Sequence, residues 1–346
     1  MAAVSIDTFG TLFLTDTINA IVEPHMFIKD LIFGLDKEEQ LPNDEAQFDV
    51  LIGGKKLAPF VGRDQPAKVI EQDVVRSDTV KIPRIRVKKG YSAKDLTFNR
   101  GVGLPIHVRG TSDVNAMRDD VVTRQLAKFK RDINRSIEWL CTQALTGTIA
   151  YAQDDYHFDI DYLMPAANKP TAAVLWSESA TADPLGDIEA WKVLVEDATG
   201  FTPRVAFARH ELITELLAVT AVTTELDNRR IIGGNIDVNK NMVNGVTRIG
   251  ELRGVTIYQY NETYVTPAGV TTPMIADNVF IMAAPDADNR FFWGAVEDLD
   301  AGVNFATPFF SKDYLTPDPS KLWVLAESAP LPVLGQPDSV VYATVS

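Results

Sequence analysis

Residues able to do chemistry are few in this chain, and their spacing argues against most reactions. The richest row is Asp155, His157, Asp159 and Asp161. In an extended segment the two-residue period puts all four on one face, where hard oxygen ligands with one imidazole can bind a divalent cation. Alternating acids along one strand also repel one another and ordinarily face water, so a solvated or intersubunit face is the preferred reading. His210-Glu211 opens like a helical zinc-protease motif, but Thr214 stands where the second histidine must be. One imidazole cannot replace two on one helix face. Gly101-Val102-Gly103 lacks the third glycine of a dinucleotide loop, since Ile106 occupies that position, and Pro105 obstructs the helix start. Neither a Walker A loop nor a Gly-x-Ser-x-Gly elbow occurs. Cys141, between Leu140 and Thr142, reads as a small buried hydrophobe, not a nucleophile. Trp139, Trp191, Trp293 and Trp323 lie in apolar segments and are assigned to the core. No catalytic residue, cofactor or metal is expected.

Composition narrows the classes further. The 346 residues are 46% hydrophobic and 23% charged, ordinary globular values that allow a sizeable core in one complex domain or two intertwined ones. A formal net charge of -14 argues against a broad basic face for nucleic acid. With a single cysteine, stability must come from burial and partner subunits, not disulfides. The four histidines are scattered. No apolar run is long enough to span a membrane, and the opening MAAVSIDTFG has no cationic region of a secretory signal, so synthesis in the cytoplasm is expected.

The elements that must position these residues are of mixed type. Residues 12–35 are apolar and broken by Pro24; Thr15 or Asp16 is the expected cap of a short helix with Ile18, Ile21 and Val22 on one face. Residues 46–90 alternate β-type runs with Gly53-Gly54, Pro59, Gly62, Pro66 and Gly90, which reads as a long twisted hairpin. Its last run slips phase at Pro83, as a bulge or edge position would. Between 52 and 90, ten cations stand against four anions, so the segment is +6 and the remainder -20. A basic hairpin on an acidic body suits docking of one copy on another; a lysine-rich edge that blocks aggregation explains it equally well. Lys55, Lys56, Arg63, Lys68, Arg84, Arg86 and Lys88 are the candidate intersubunit contacts.

Residues 112–147 make the clearest helix, about 50 Å long at 1.5 Å per residue. Val114, Met117, Val121, Leu126, Phe129, Ile133, Ile137, Leu140 and Ala144 form its apolar stripe, with Ser112 as cap and Gly147 as stop. Arg124, Lys128, Arg131, Arg135 and Glu138 are placed on the polar face. So narrow a stripe on so long a helix suggests a spine and not a bundle member. The next run alternates Tyr156, Phe158, Ile160 and Tyr162 against the acidic row, a half-buried strand. After Asp183-Pro184 come a helix over about 187–197, the strand RVAFA, the helix HELITELLAV, a stretch around Gly233-Gly234, and the strands GVTIYQYN and ETYV. Strands and helices without regular βαβ spacing give an α+β class.

Several segments then match one family in order. TVKIPRIRVKKGYSAKDLTFNR, IEWLCTQALTG with FDIDY, WSESATADPLGDIEAW, and above all VEDLDAGVNFATPFFSKDYLTPDPSKLWVLAESAPLPVLGQPDSVV resemble the phage lambda-type major capsid proteins, the major capsid protein E family. None is an active-site motif; the resemblance rests on order and accumulation over nearly the whole chain.

The resemblance implies the tailed-phage capsid fold of Hong Kong 97 type. Its parts would be an N-terminal arm (1–45), an extended β loop (46–90), a peripheral domain (91–180) on the spine helix, an axial domain (181–300), and C-terminal strands (301–346) returning to the peripheral domain. It implies pentamers and hexamers in an icosahedral shell around double-stranded DNA, a portal at one vertex, a scaffold, and in some cases decoration proteins. No membrane partner is implied. Some relatives cross-link a lysine to an asparagine; Lys55 or Lys56 are the possible donors, but no acceptor is evident and no cross-link is expected. The place implied is the virion head, with assembly in the host cytoplasm. An encapsulin-type nanocompartment shell is the alternative, and a metal-dependent hydrolase using the Asp155 row a distant one.

Overall fold

The computed structural model describes residues 10–21, 26–52, 74–92, 95, 114–153, 156–225, 241–242, 245–266, 268–301 and 306–346. The helices are α1 (Thr11–Ala20), α2 (Val114–Ala144), α3 (Pro184–Thr199) and α4 (His210–Ala218). The first strands are β1 (Glu38–Gln40), β2 (Glu45–Ile52), β3 (Val74–Lys81), β4 (Ile85–Ser92), β5 (Thr148–Gln153), β6 (Tyr156–Asp161), β7 (Val205–Ala208), β8 (Asn241–Met242) and β9 (Val246–Leu252). The rest are β10 (Val255–Tyr260), β11 (Thr263–Val265), β12 (Thr271–Pro273), β13 (Val279–Ala283), β14 (Asn289–Trp293), β15 (Phe310–Thr316), β16 (Lys321–Ser328), β17 (Pro330–Leu334) and β18 (Val340–Thr344).

A mixed six-stranded sheet, β18-β13-β7-β10-β9-β8, forms one half of the molecule. Its central strands are apolar on both faces because both are covered. On β7, Ala206 and Ala208 join the cluster under α3 and α4, while Val205 and Phe207 join the main core on the other side. The period of two repeats on β13, with Phe280 and Met282 against Val279 and Ile281. Trp176 and Trp191 stack at 6.1 Å over that sheet, and Asp187 accepts from the Trp176 indole N–H at 2.9 Å. The covering helix α3 begins three residues before the expected Asp187. Asp183 accepts the Gly186 N–H at 3.1 Å and Pro184 takes the first turn, where its missing N–H costs nothing.

The other half is built on α2. Val122, Leu126, Phe129, Ile133, Ile137 and Leu140 bury one side of it against β16, β17 and β5. Ser112, the expected cap, lies outside the described residues. Gly147 has φ 86°, and a Cβ there would meet the Met164 Cβ at 2.7 Å, so the chain turns to β5 at a position only glycine fits. Helix α1 packs on β15 through Leu14 and Ile18. It starts at Thr11, so Thr15 and Asp16 do not cap it; Thr15 is buried mid-helix and donates to the Ser311 carbonyl at 3.2 Å. Its C-terminal carbonyls are instead satisfied by α2: the buried Lys130 Nζ donates to the oxygens of Ile18, Asn19 and Ile21 at 2.9, 3.0 and 2.7 Å.

Two expected boundaries change. The hairpin does not run from 46 to 90 as one unit. Strands β2 and β3 pair from Glu45↔Lys81 to Ile52↔Val74, but β4, past Pro83, pairs with β16 in the sheet β15-β16-β4. The phase slip at Pro83 is therefore a change of sheet, at a residue that lacks the N–H needed to continue either ladder. The strands of 301–346 are also divided. β15 and β16 lie beside α1 and α2, β17 pairs with β14, and β18 pairs with β13 in the six-stranded sheet. Val341 and Ala343 of β18 find their apolar cover there, in the cluster holding Trp176 and Trp191.

Candidate intersubunit surface at the root of the hairpin

Of the seven candidate contact residues, Lys55, Lys56, Arg63 and Lys68 lie outside the described residues. Arg84, Arg86 and Lys88 sit at and beyond Pro83, where β4 lines up with β16 so that Arg86 stands opposite Glu327. Glu327 is only 1% exposed, and both arginines converge on it. Arg84 grips it in bidentate fashion, Nε on Oε1 and Nη2 on Oε2 at 3.0 Å, and Arg86 Nε reaches Oε2 at 3.2 Å. The remaining donors of the two arginines hold the loop that follows β14. Arg84 Nη1 meets Glu297 Oε2 and Nη2 meets its carbonyl, both at 3.1 Å, and Arg86 Nη2 meets Asp298 Oδ2 at 3.1 Å. Lys312 on β15 closes the network at 2.7 Å from both Asp298 and Asp300.

Electrostatics follow from this packing. The hydrogen bond to Glu327 raises the Arg84 pKa further. Burial opposes ionisation of Asp298, but the Lys312 hydrogen bond, the Asp300 amide and Arg86 outweigh it and hold that carboxyl below its ordinary value. So pinned, the loop presents Leu299 fully to solvent. Lys88 projects outward with Nζ 5.2 Å from the Trp323 ring, which lies across β4 where Gly90 has no Cβ to obstruct it.

Beside this network runs a cleft of about 910 Å³, lined by Pro83, Arg84 and Ile85, by Arg135 and Trp139 of α2, and by Tyr151, Phe158 and Tyr264. Trp139 meets Tyr151 and Tyr264 edge-on at 6.0 and 6.2 Å, and Tyr151 stacks on Phe158 at 5.6 Å. Among the described residues its lining is aromatic and cationic with one acid, Asp132, and contains neither histidine nor cysteine. Such a surface suits packing against protein more than bond chemistry. Trp139 and Trp323, both expected in the core, are half-buried, Trp139 in this cleft and Trp323 against Gly90 and Tyr314 on its own sheet.

The acidic row behaves as strand periodicity dictates. His157, Asp159 and Asp161 are exposed on β6, while Ile160 and Tyr162 are buried; Asp155 lies outside the described residues. Asp161 Oδ1 accepts the Leu163 N–H at 2.8 Å, serving a turn in which Leu163 has φ 56°. Among the described residues no group of three or more histidine, cysteine, aspartate or glutamate side chains is placed to hold a metal ion. Cys141 is fully buried, and desolvation, then Glu138, push its thiol pKa well up.

One buried acid was misplaced by sequence reasoning. Glu138, assigned to the polar face of α2, is buried at the meeting point of α2, the Met26–Phe33 segment and β10. Its Oε1 accepts from the Ile28 N–H at 2.7 Å and the Tyr260 hydroxyl at 3.1 Å, and its Oε2 accepts from the Lys29 N–H at 3.3 Å. Burial pushes its pKa up to about 7 against the pull of those hydrogen bonds. The available signal was its setting between Ile137 and Trp139; Glu327 was likewise the lone acid in LWVLAES.

Comparison with known proteins places this architecture. Residues 11–345 match the family model described as phage major capsid protein E. The major capsid protein of Escherichia phage lambda is 29% identical over 174 residues, 48% of this chain and 49% of that protein. That of Escherichia phage N15 is 28% identical over 177 residues, 49% of this chain and 50% of that protein. The matches thus span about half the length of these curated relatives. A crystal structure of a prophage protein from Escherichia coli CFT073, assigned to the capsid, superposes with a TM-score of 0.71 over 99% of this chain and 100% of that one, at 17% identity. The fold is the tailed-phage capsid fold of Hong Kong 97 type, and the chain belongs to the phage major capsid protein E family.

Proposed function

We propose that this chain is the major capsid protein of a tailed phage, whose copies join as pentamers and hexamers into an icosahedral shell around double-stranded DNA. The observation that carries this reading is the family match over residues 11–345, and the α+β fold supports it. The role is mechanical, with no catalytic step. Portal, scaffold and decoration proteins would be its partners in the host cytoplasm, and the virion head its final place.

The physical support is the ribbon β2–β3. Its base is anchored where Ala46 and Ile82 enter the core, yet it forms a separate two-stranded sheet. A two-stranded ribbon is marginal by itself in water, so its stable location is across a neighbouring copy. One such contact per subunit, repeated around a closed shell, sums to a rigid lattice from individually modest parts. The segments 1–45, 91–180 and 181–300 would act as arm, peripheral and axial parts of that lattice. Expression with scaffold and portal, followed by light scattering and electron microscopy, tests the proposal. Capsomers or shells are expected; a clean monomer over a hundredfold concentration range would overturn it. Nuclease-protected DNA inside the particles, and not protein cargo, distinguishes a phage head from an encapsulin-type shell.

A further inference from the structure

Two apolar features lie side by side at the hairpin root, and neither is covered within its own chain. The first is the turn after β14. The Asp298 carbonyl accepts the Ala301 N–H at 3.0 Å, and the Asp298 carboxylate accepts the Asp300 N–H at 3.0 Å. Asp298 is itself buried between Arg86 and Lys312. Leu299 therefore stands, fully exposed, at the tip of a turn fixed at its base, with the exposed carboxylates of Glu297 and Asp300 on either side. A lone exposed leucine is ordinary on a protein surface. This one is held rigidly, and it stands beside a hollow.

That hollow is the cleft next to Arg84. Trp139, Tyr151, Phe158 and Tyr264 make its aromatic wall. At its rim Tyr156 and Val265 are each more than half exposed, as is Val270, whose carbonyl accepts the Thr266 N–H at 2.8 Å. Arg135 of α2 is exposed on the same lining. Burial raises the Glu262 pKa and Arg135 opposes that rise, yet Arg135 makes no ion pair among the described residues. An aromatic hollow with an apolar rim and cations set into it has the composition of a protein-docking surface.

We infer that the cleft receives the 297–301 turn of a second copy, with Leu299 entering the aromatic hollow and a flanking carboxylate meeting Arg135. The inference rests on the reading that copies of this chain join into a shell, and it names one contact between them. Charge selects the occupant. Within one chain the acids of this turn already accept from arginines of the cleft, Glu297 from Arg84 and Asp298 from Arg86, both at 3.1 Å. The hairpin segment, at +6, would instead bring cations to a lining that carries Arg84, Arg86 and Arg135 against Asp132 alone. Rigidity acts in the same direction, because a turn already fixed in the free chain loses little freedom on docking. The charges steer and orient, while burial of Leu299 against Trp139 and its aromatic neighbours holds the contact.

Cysteine pairing in assembled particles tests this. Two full-length chains of different tagged size, one with Leu299→Cys and one with Val265→Cys, are assembled together with scaffold and portal and mildly oxidised. Cys141 is fully buried and takes no part. A disulfide-linked heterodimer is expected as the main product. Well-formed particles without it overturn the docking and leave the shell reading intact; a wild-type chain that forms no particles overturns both. Leu299→Lys gives a second readout at a site where folding is not at stake. It should leave urea unfolding of the unassembled chain unchanged and raise the concentration at which assembly begins by about tenfold or more, as loss of one buried leucine implies. Leu299→Met should assemble as wild type does. Assembly of Leu299→Lys at the wild-type concentration overturns the proposal.

Discussion

Glu327→Gln isolates the contribution of the buried network at the hairpin root. The amide keeps shape and volume but withdraws the negative charge shared by Arg84 and Arg86. For a fully buried pair, removing one partner costs about 3–5 kcal/mol, because the other charge is left without compensation. Here the arginines are not fully buried: their side chains are 30% and 42% exposed, so each regains water, and Arg84 keeps Glu297 while Arg86 keeps Asp298. Exposed pairs contribute only about 0–1 kcal/mol each. The structure therefore places the loss between these limits, at about 2 kcal/mol, measured as the change in urea unfolding of the full chain at fixed pH. Replacing Arg84, Arg86 and Glu327 together by methionine should recover most of it, since no buried charge is then left without a partner: Asp298 keeps Lys312, and Glu297 is exposed to water. A loss below about 0.5 kcal/mol for Glu327→Gln would refute the reasoning, because water would then serve the arginines as well as Glu327 does.

Lys130→Met leaves the C-terminal carbonyls of α1 without their donor and should cost about 1–3 kcal/mol, with α1 the first segment to lose exchange protection. Gly147→Ala must hold φ 86° with a Cβ pressed on Met164, so a loss of more than about 1 kcal/mol in thermal unfolding is expected. For hairpin docking, Lys55, Lys56, Arg63 and Lys68 are better targets than Arg84 and Arg86, whose reversal would put carboxylates against Glu327 and disturb the fold. Changing those four together to glutamate should block assembly at low salt while leaving α2 folded, and raising salt should weaken wild-type assembly more than folding, since such charges are screened over about 8–10 Å. Normal shells from the fourfold variant at low salt would mean that docking rests on apolar and backbone contacts alone.

Sequence alone determined what depends on neighbours along the chain. The stripe from Val121 to Ala144, the glycine stop at Gly147, the apolar runs of β7 and β10, and the alternation of Phe158 and Ile160 against Asp159 and Asp161 all follow from local periodicity and backbone preference. So did the family, through ordered segments carrying no chemistry. Tertiary structure alone decided where β4 pairs, because its partner β16 lies more than two hundred residues further on and no local signal distinguishes one antiparallel edge from another. It also decided the fate of the charges. Arg84 and Arg86 looked like free cations on a hairpin until Glu327 was brought beside them, and Glu138 looked solvated until the Met26–Phe33 segment covered it. Helical periodicity predicts one buried face, but α2 is covered from more than one side. A polar residue on its second covered face is thus kept by the donors that chain folding brings to it, and those donors have no fixed spacing in the sequence.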